Sequence, residues 1–371
     1  MDYRPTPSQQ LLTATAREFL KKHCPPESAQ RLALEGRGLD PALWRQMAEL
    51  GWPGLLIAAE HGGSDGSLLD VTLLMEEIGR AALPGPFVTS AVVATSLLLA
   101  AGSPEQQQRW LPALATGDRI VSLALVEDEG AWDSDAVALR ATVPGRLRGR
   151  KLFVNDAHAA DALIVAMRED TGVSLLLLPT DRAGINRLPL QTLSGEALFE
   201  VTFDDVLIAP DDRLGRAGAG RRLLEPAINA GALARTAEMV GAAQQIMELA
   251  VEHAKTRVQG GKPIGGHQAI QHACADIVRD VDGARGLLYA AAWALSEGRP
   301  AGAEVATAKA YATEACLAVA RRAHQIFGAI GYCEEHSLHL LHKRIQAAGL
   351  EYGDGAEHLE AVARSIGLEA L

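Results

Sequence analysis

The sequence predicts a mainly α-helical chain with a central β domain: an N-terminal helical domain, a small β barrel or sandwich, and a C-terminal four-helix bundle. Three observations carry this prediction. Apolar residues make up 48% of the 371 positions and aromatics only 4%, so the cores are aliphatic, and Ala and Leu favour helix. Apolar spacing is helical over 1–118, changes to short apolar or alternating runs over 119–218, and is helical again over 219–371. Clusters of Gly, Pro and Asp fall where the period changes.

The elements follow in order. Pro7, Leu11, Leu12, Ala14, Phe19 and Leu20 form one face of a first helix. Asp70 to Ala82 is a second, with Val71, Leu74, Met75 and Ile78 at helical spacing. Pro84 and Pro86 interrupt, and a third helix closes over Leu97 to Ala101. Ser103 is an N-cap with Pro104 at the first helical position, and Gly117-Asp118 ends that fourth helix. The strands expected next are Ile120 to Val126, Leu147 to Val154, Ala162 to Met167, Val173 to Leu178 and Leu198 to Leu207, an antiparallel barrel or sandwich. Four helices then run over Leu224 to Lys255, Gln268 to Glu297, Ala303 to Phe327 and Ser337 to Ala348, with a Gly-rich connection over Gly260 to Gly266.

Charge narrows the function classes. With 46 acidic and 35 basic residues the formal net charge is -11, and no Lys/Arg-rich run stands out, so no nucleic-acid partner is expected. Cys24, Cys274, Cys316 and Cys333 are scattered and form no C-x-x-C pair, which argues against zinc and fits reduced thiols in a cytoplasmic protein. The first ten residues contain no apolar signal region, and no apolar run is long enough to span a bilayer, so no membrane insertion is expected.

Five local strings remain. They are Glu60-His61-Gly62-Gly63-Ser64-Asp65-Gly66; Gly149-Arg150-Lys151-Leu152-Phe153-Val154-Asn155; Phe203-Asp204-Asp205-Val206 through Leu214-Gly215; Arg257 with Ile264 and Gln268; and Gln325-Ile326-Phe327-Gly328-Ala329-Ile330-Gly331-Tyr332. Taken singly, each is an ordinary turn, hairpin or helix end. In this order, over nearly the whole chain, they resemble the acyl-CoA dehydrogenase family. The resemblance implies that fold, non-covalent FAD, an acyl-CoA substrate desaturated between its α and β carbons, electron-transfer flavoprotein as acceptor, and a tetramer. It also implies that Arg257 reaches the FAD of a neighbouring subunit, with Gln268, Gln325 and Gly328 as further cofactor contacts. Arg suits this task because its planar fork matches phosphate oxygens. Phe153, Asn155 and Val126 match positions beside the flavin ring.

The chain departs from the family where a base is needed. A positioned carboxylate takes the α-proton of the thioester, and such general-base catalysis contributes on the order of 10²–10⁴-fold. One usual position for the Glu matches Gly353, within Glu351-Tyr352-Gly353-Asp354-Gly355. The other matches Ala234, before Arg235. Asp354 is the substitute base this reading nominates, with Glu351 and Glu238 behind it; a capping or solvated carboxylate is the competing explanation. Gly353-Asp354-Gly355-Ala356-Glu357-His358 is similar to a string in heterotetrameric steroid side-chain acyl-CoA dehydrogenases, which pair a Glu-bearing subunit with one that lacks it. Three readings stay open: an active FAD-dependent dehydrogenase in a homo- or heterotetramer, a catalytically silent subunit completing a partner's FAD site, and a flavin oxidase or monooxygenase on the same fold.

Overall fold

The structure is a computed structural model that describes residues 4–36, 38–143 and 145–368. Among these lie eleven α-helices and ten strands, in the order helices, strands, helices. The helices before the sheets are α1 (Pro7–His23), α2 (Pro26–Glu35), α3 (Pro41–Glu49), α4 (Leu68–Arg80), α5 (Thr95–Ala101) and α6 (Pro104–Ala115). By compactness the chain forms two units, one of Met1–Arg31, Leu68–Leu83 and Ala232–Leu371, the other of Leu32–Ser67 and Pro84–Gly231.

The second unit holds the β structure. Its strands are β1 (Val121–Ala124), β2 (Ala141–Val143), β3 (Arg146–Asn155), β4 (Ala162–Glu169), β5 (Gly172–Pro179), β6 (Ile185–Pro189), β7 (Leu198–Leu207) and β8 (Arg213–Leu214). They form two four-stranded sheets, β1-β4-β5-β8 and β2-β3-β7-β6. The expectation of an antiparallel domain holds except at β1, which pairs parallel with β4. Between those two strands the chain crosses to the other sheet through β3 and returns, so β4 enters in the direction of β1. Val173 to Leu178 is buried throughout, which is why β5 reads as a continuous apolar run rather than an alternation. Ser103 caps α6 as the sequence predicts: its hydroxyl accepts from Gln106 N, and Gln106 answers at the Ser103 amide.

The first unit is helical. Its C-terminal part contains most of α7 (Gly220–Thr256), a hairpin of β9 (Val258–Gln259) and β10 (Lys262–Pro263), then α8 (Gln268–Ser296), α9 (Gly302–Phe327), α10 (Leu338–Leu350) and α11 (Gly355–Ser365). The four predicted bundle helices are α7 to α10, and α11 is additional. Helices α4 and α7 cross at backbone contact. A Cβ at Gly241 would lie 1.9 Å from the Glu76 carbonyl oxygen, and one at Gly79 would lie 2.1 Å from that of Glu238. Only glycine permits so close an approach.

Candidate functional site

In the β unit, β3 carries a bulge between Lys151 and Val154, and Phe153 lies inside it. Phe153 adopts φ +53, a left-handed conformation that strains an aromatic residue, and its ring is 44% exposed. The surroundings hold that bulge firmly. Leu152 N donates to Val126 O at 2.8 Å. Lys151, fully buried, donates from Nζ to Leu125 O at 2.9 Å and to Glu127 Oε1 at 2.6 Å. Burial pulls the Lys151 pKa down to about 8, against the opposing pull of Glu127. Val126 and Asn155 are buried on either side of the exposed ring in sequence. An exposed aromatic held on a bulged strand offers an open face to a flat ring system.

In the helical unit, topology gathers the other nominated residues. Arg257 follows the last turn of α7, Gln268 opens α8, and Gln325 and Gly328 close α9. The α7 and α9 ends meet through His253 and Phe327, whose rings stack at 4.4 Å; Phe327 also meets His336 at 4.5 Å. Arg257, Gln268, Gln325 and Gly328 are all exposed. Among the described residues the Arg257 guanidinium makes no ion pair and neither glutamine amide makes a hydrogen bond. Gly328 sits at φ +66 with open space where a Cβ would be. A free guanidinium, two free amides and an unobstructed backbone make a donor set suited to an anionic, polar ligand. Burial lowers the pKa values of His253, His324, His336 and His342 in the same unit, disfavouring their charged forms.

The segment after α10 is the third piece. Lys309, fully buried on α9, donates from Nζ to the carbonyls of Gly349 (3.2 Å), Glu351 (2.8 Å) and Gly353 (2.9 Å). Arg235 binds Glu351 Oε2 through Nε at 3.1 Å and Nη2 at 2.8 Å, and binds Glu238 Oε2 through Nη1 at 2.5 Å. Arg344 pairs with the other oxygen of Glu238. These four charges are almost wholly buried and sum to zero, as buried ions must to limit their desolvation cost. Glu238 and Glu351 are therefore held as structural partners of arginines. Asp354 caps α11: its Oδ1 accepts from Ala356 N and Glu357 N at 2.9 Å, while Glu357 Oε2 accepts from Asp354 N. Gly353 is at φ +96, and Ala234 is buried. Neither of the two positions nominated for a base carries a carboxylate.

The comparisons with known proteins agree with this architecture. Residues 6–118 match the family model "Acyl-CoA dehydrogenase, N-terminal domain", and residues 218–367 match "Acyl-CoA dehydrogenase, C-terminal domain". The mitochondrial short-chain specific acyl-CoA dehydrogenase of Bos taurus is 30% identical over 344 residues, 88% of this chain and 82% of that one. Among solved structures, the ChsE4-ChsE5 complex from Mycobacterium tuberculosis matches at 27% identity and TM-score 0.91, covering all of both chains. An FAD complex of PigA matches at 26% and 0.92, again over all of both chains. The chain belongs to the acyl-CoA dehydrogenase family, oxidoreductases that act on CH–CH bonds with FAD as cofactor. The exposed Phe153 and the free donors at Arg257, Gln268 and Gln325 fit that cofactor.

Sequence reasoning missed Lys309 and His358. Nothing in their spacing flags them, because a lysine inside an Ala-rich helix reads as a solvated residue. Burial against the 349–353 carbonyls becomes visible only in three dimensions.

Proposed function

We propose that this chain is the FAD-holding, base-free subunit of an acyl-CoA dehydrogenase, acting with a partner subunit that supplies the carboxylate. The observation that carries the reading is Gly353. It lacks a side chain, and the carboxylates around it are engaged: Asp354 and Glu357 in the α11 cap, Glu351 and Glu238 with buried arginines. The likeness to a complex of two named chains, ChsE4 and ChsE5, supports a paired assembly. When bound, FAD supplies a two-electron acceptor. This chain's Phe153, Asn155 and Val126 would hold the ring of one FAD, and its Arg257, Gln268, Gln325 and Gly328 would hold the polar end of a neighbouring subunit's FAD. The substrate class is an acyl-CoA, the assembly a heterotetramer, and electron-transfer flavoprotein the acceptor.

The test is to purify the chain alone and together with a Glu-bearing family member encoded beside it. Bound flavin and dye reduction with a panel of acyl-CoA esters are then measured. Turnover is expected only from the pair. A chain that holds stoichiometric flavin and reduces dye by itself would sink this reading and restore the self-sufficient dehydrogenase.

A further inference from the structure

Position 353 is closed as well as empty. A Cβ built there would lie 2.8 Å from His358 Nε2 and 3.2 Å from its Cδ2. The imidazole cannot simply swing away. It is buried at 8% exposure, and its Nε2 is 3.0 Å from Tyr352 O, the carbonyl just before Gly353. From the other side Lys309 grips the Gly353 carbonyl at 2.9 Å, so the backbone cannot rotate to turn a side chain elsewhere. The charged groups acting on His358 are Lys309 and Asp354, and Glu357 Oε2 lies 3.4 Å from the same built Cβ.

We infer that His358 is the residue that shuts position 353 to a carboxylate, so that the base-free state of this chain is held at two positions rather than one. This rests on the base-free reading and deepens it. A glutamate at 353 must enter a left-handed backbone, and it must also displace a buried ring hydrogen-bonded to the turn that carries it. His358 fills the volume through which such a side chain would leave the backbone. It acts on the base position as a positioning residue.

The test is a stability cycle on the full chain without substrate, so its outcome is separate from whether the wild-type chain turns over acyl-CoA. Gly353→Ala is expected to lower the melting temperature by roughly 3–6 °C in the wild-type background. In His358→Ala, and in His358→Asn as a milder second background, the same substitution should cost half as much or less. What remains is the cost of the left-handed backbone alone. Equal costs in all three backgrounds overturn the inference. A second reading is independent of folding energy: Gly353→Glu alone should leave dye reduction with butyryl-CoA at the wild-type level. A Gly353→Glu chain that gains turnover while His358 is intact overturns the inference equally.

Discussion

His358 shows how far one residue's environment can depart from its type. Burial, with help from the Lys309 charge, lowers its pKa to about 4, against an ordinary value near 6.5. The folded chain therefore holds the ring neutral, and the unfolded chain protonates first as pH falls. Stability contributed by the neutral ring is intact above about pH 6.5 and is lost as pH falls towards about 4. From about pH 7.5 to about pH 5 the loss from this group is about 2 kcal/mol. Urea unfolding of wild type and His358→Asn at both pH values checks this. The wild-type chain should lose more stability than the variant, because the other histidines with lowered pKa values are common to both and cancel. Identical pH dependence would remove the argument. None of this was legible in the sequence, where His358 was only the last letter of a familiar string.

Element boundaries were read well where a local rule sets them. The Ser103 cap and Pro104 start of α6 came directly from short-range chemistry, as did the change of period near residue 119. Helices α2 and α3 and strands β2, β6 and β8 escaped because they are short, so their periodicity never rises above its surroundings. The crossing of α4 and α7 was hidden for another reason: Gly79 and Gly241 lie far apart in sequence, and each alone reads as a weak point in a helix. Their packing predicts opposite outcomes for two superficially similar changes. Gly241→Ala drives a methyl into the Glu76 carbonyl and should cost about 1–3 kcal/mol or more. Gly286→Ala, on the exposed side of α8 with nothing near its added Cβ, should gain about 0.4–1 kcal/mol. Denaturant midpoints for the two variants decide the matter; a neutral Gly241→Ala would mean that the helices can separate cheaply.

At the scale of the molecule the order of helices, strands and helices was legible from composition and period, and so was the family that this order and its five strings imply. The grouping into compact units was not, because it joins Met1–Arg31 and Leu68–Leu83 with a bundle that begins only at Ala232. The residues proposed to meet cofactor divide in the same way: Phe153 and Asn155 belong to one unit, and Arg257, Gln268 and Gln325 to the other. This separates holding a flavin from staying folded, and Arg257 is the residue on which to test it. Its guanidinium is exposed and makes no ion pair with any described residue, so Arg257→Gln should leave the unfolding midpoint within about 0.5 kcal/mol of wild type. On the proposed role it also removes a charge-assisted contact to a pyrophosphate, which should weaken flavin binding on the order of 10–100-fold. Flavin retained through gel filtration, measured on the assembled complex, reports the second quantity, and a urea melt of the same sample reports the first. Loss of flavin with an unchanged melt is expected. Full retention would show that Arg257 does not hold the cofactor, and loss of both together would make it part of the scaffold.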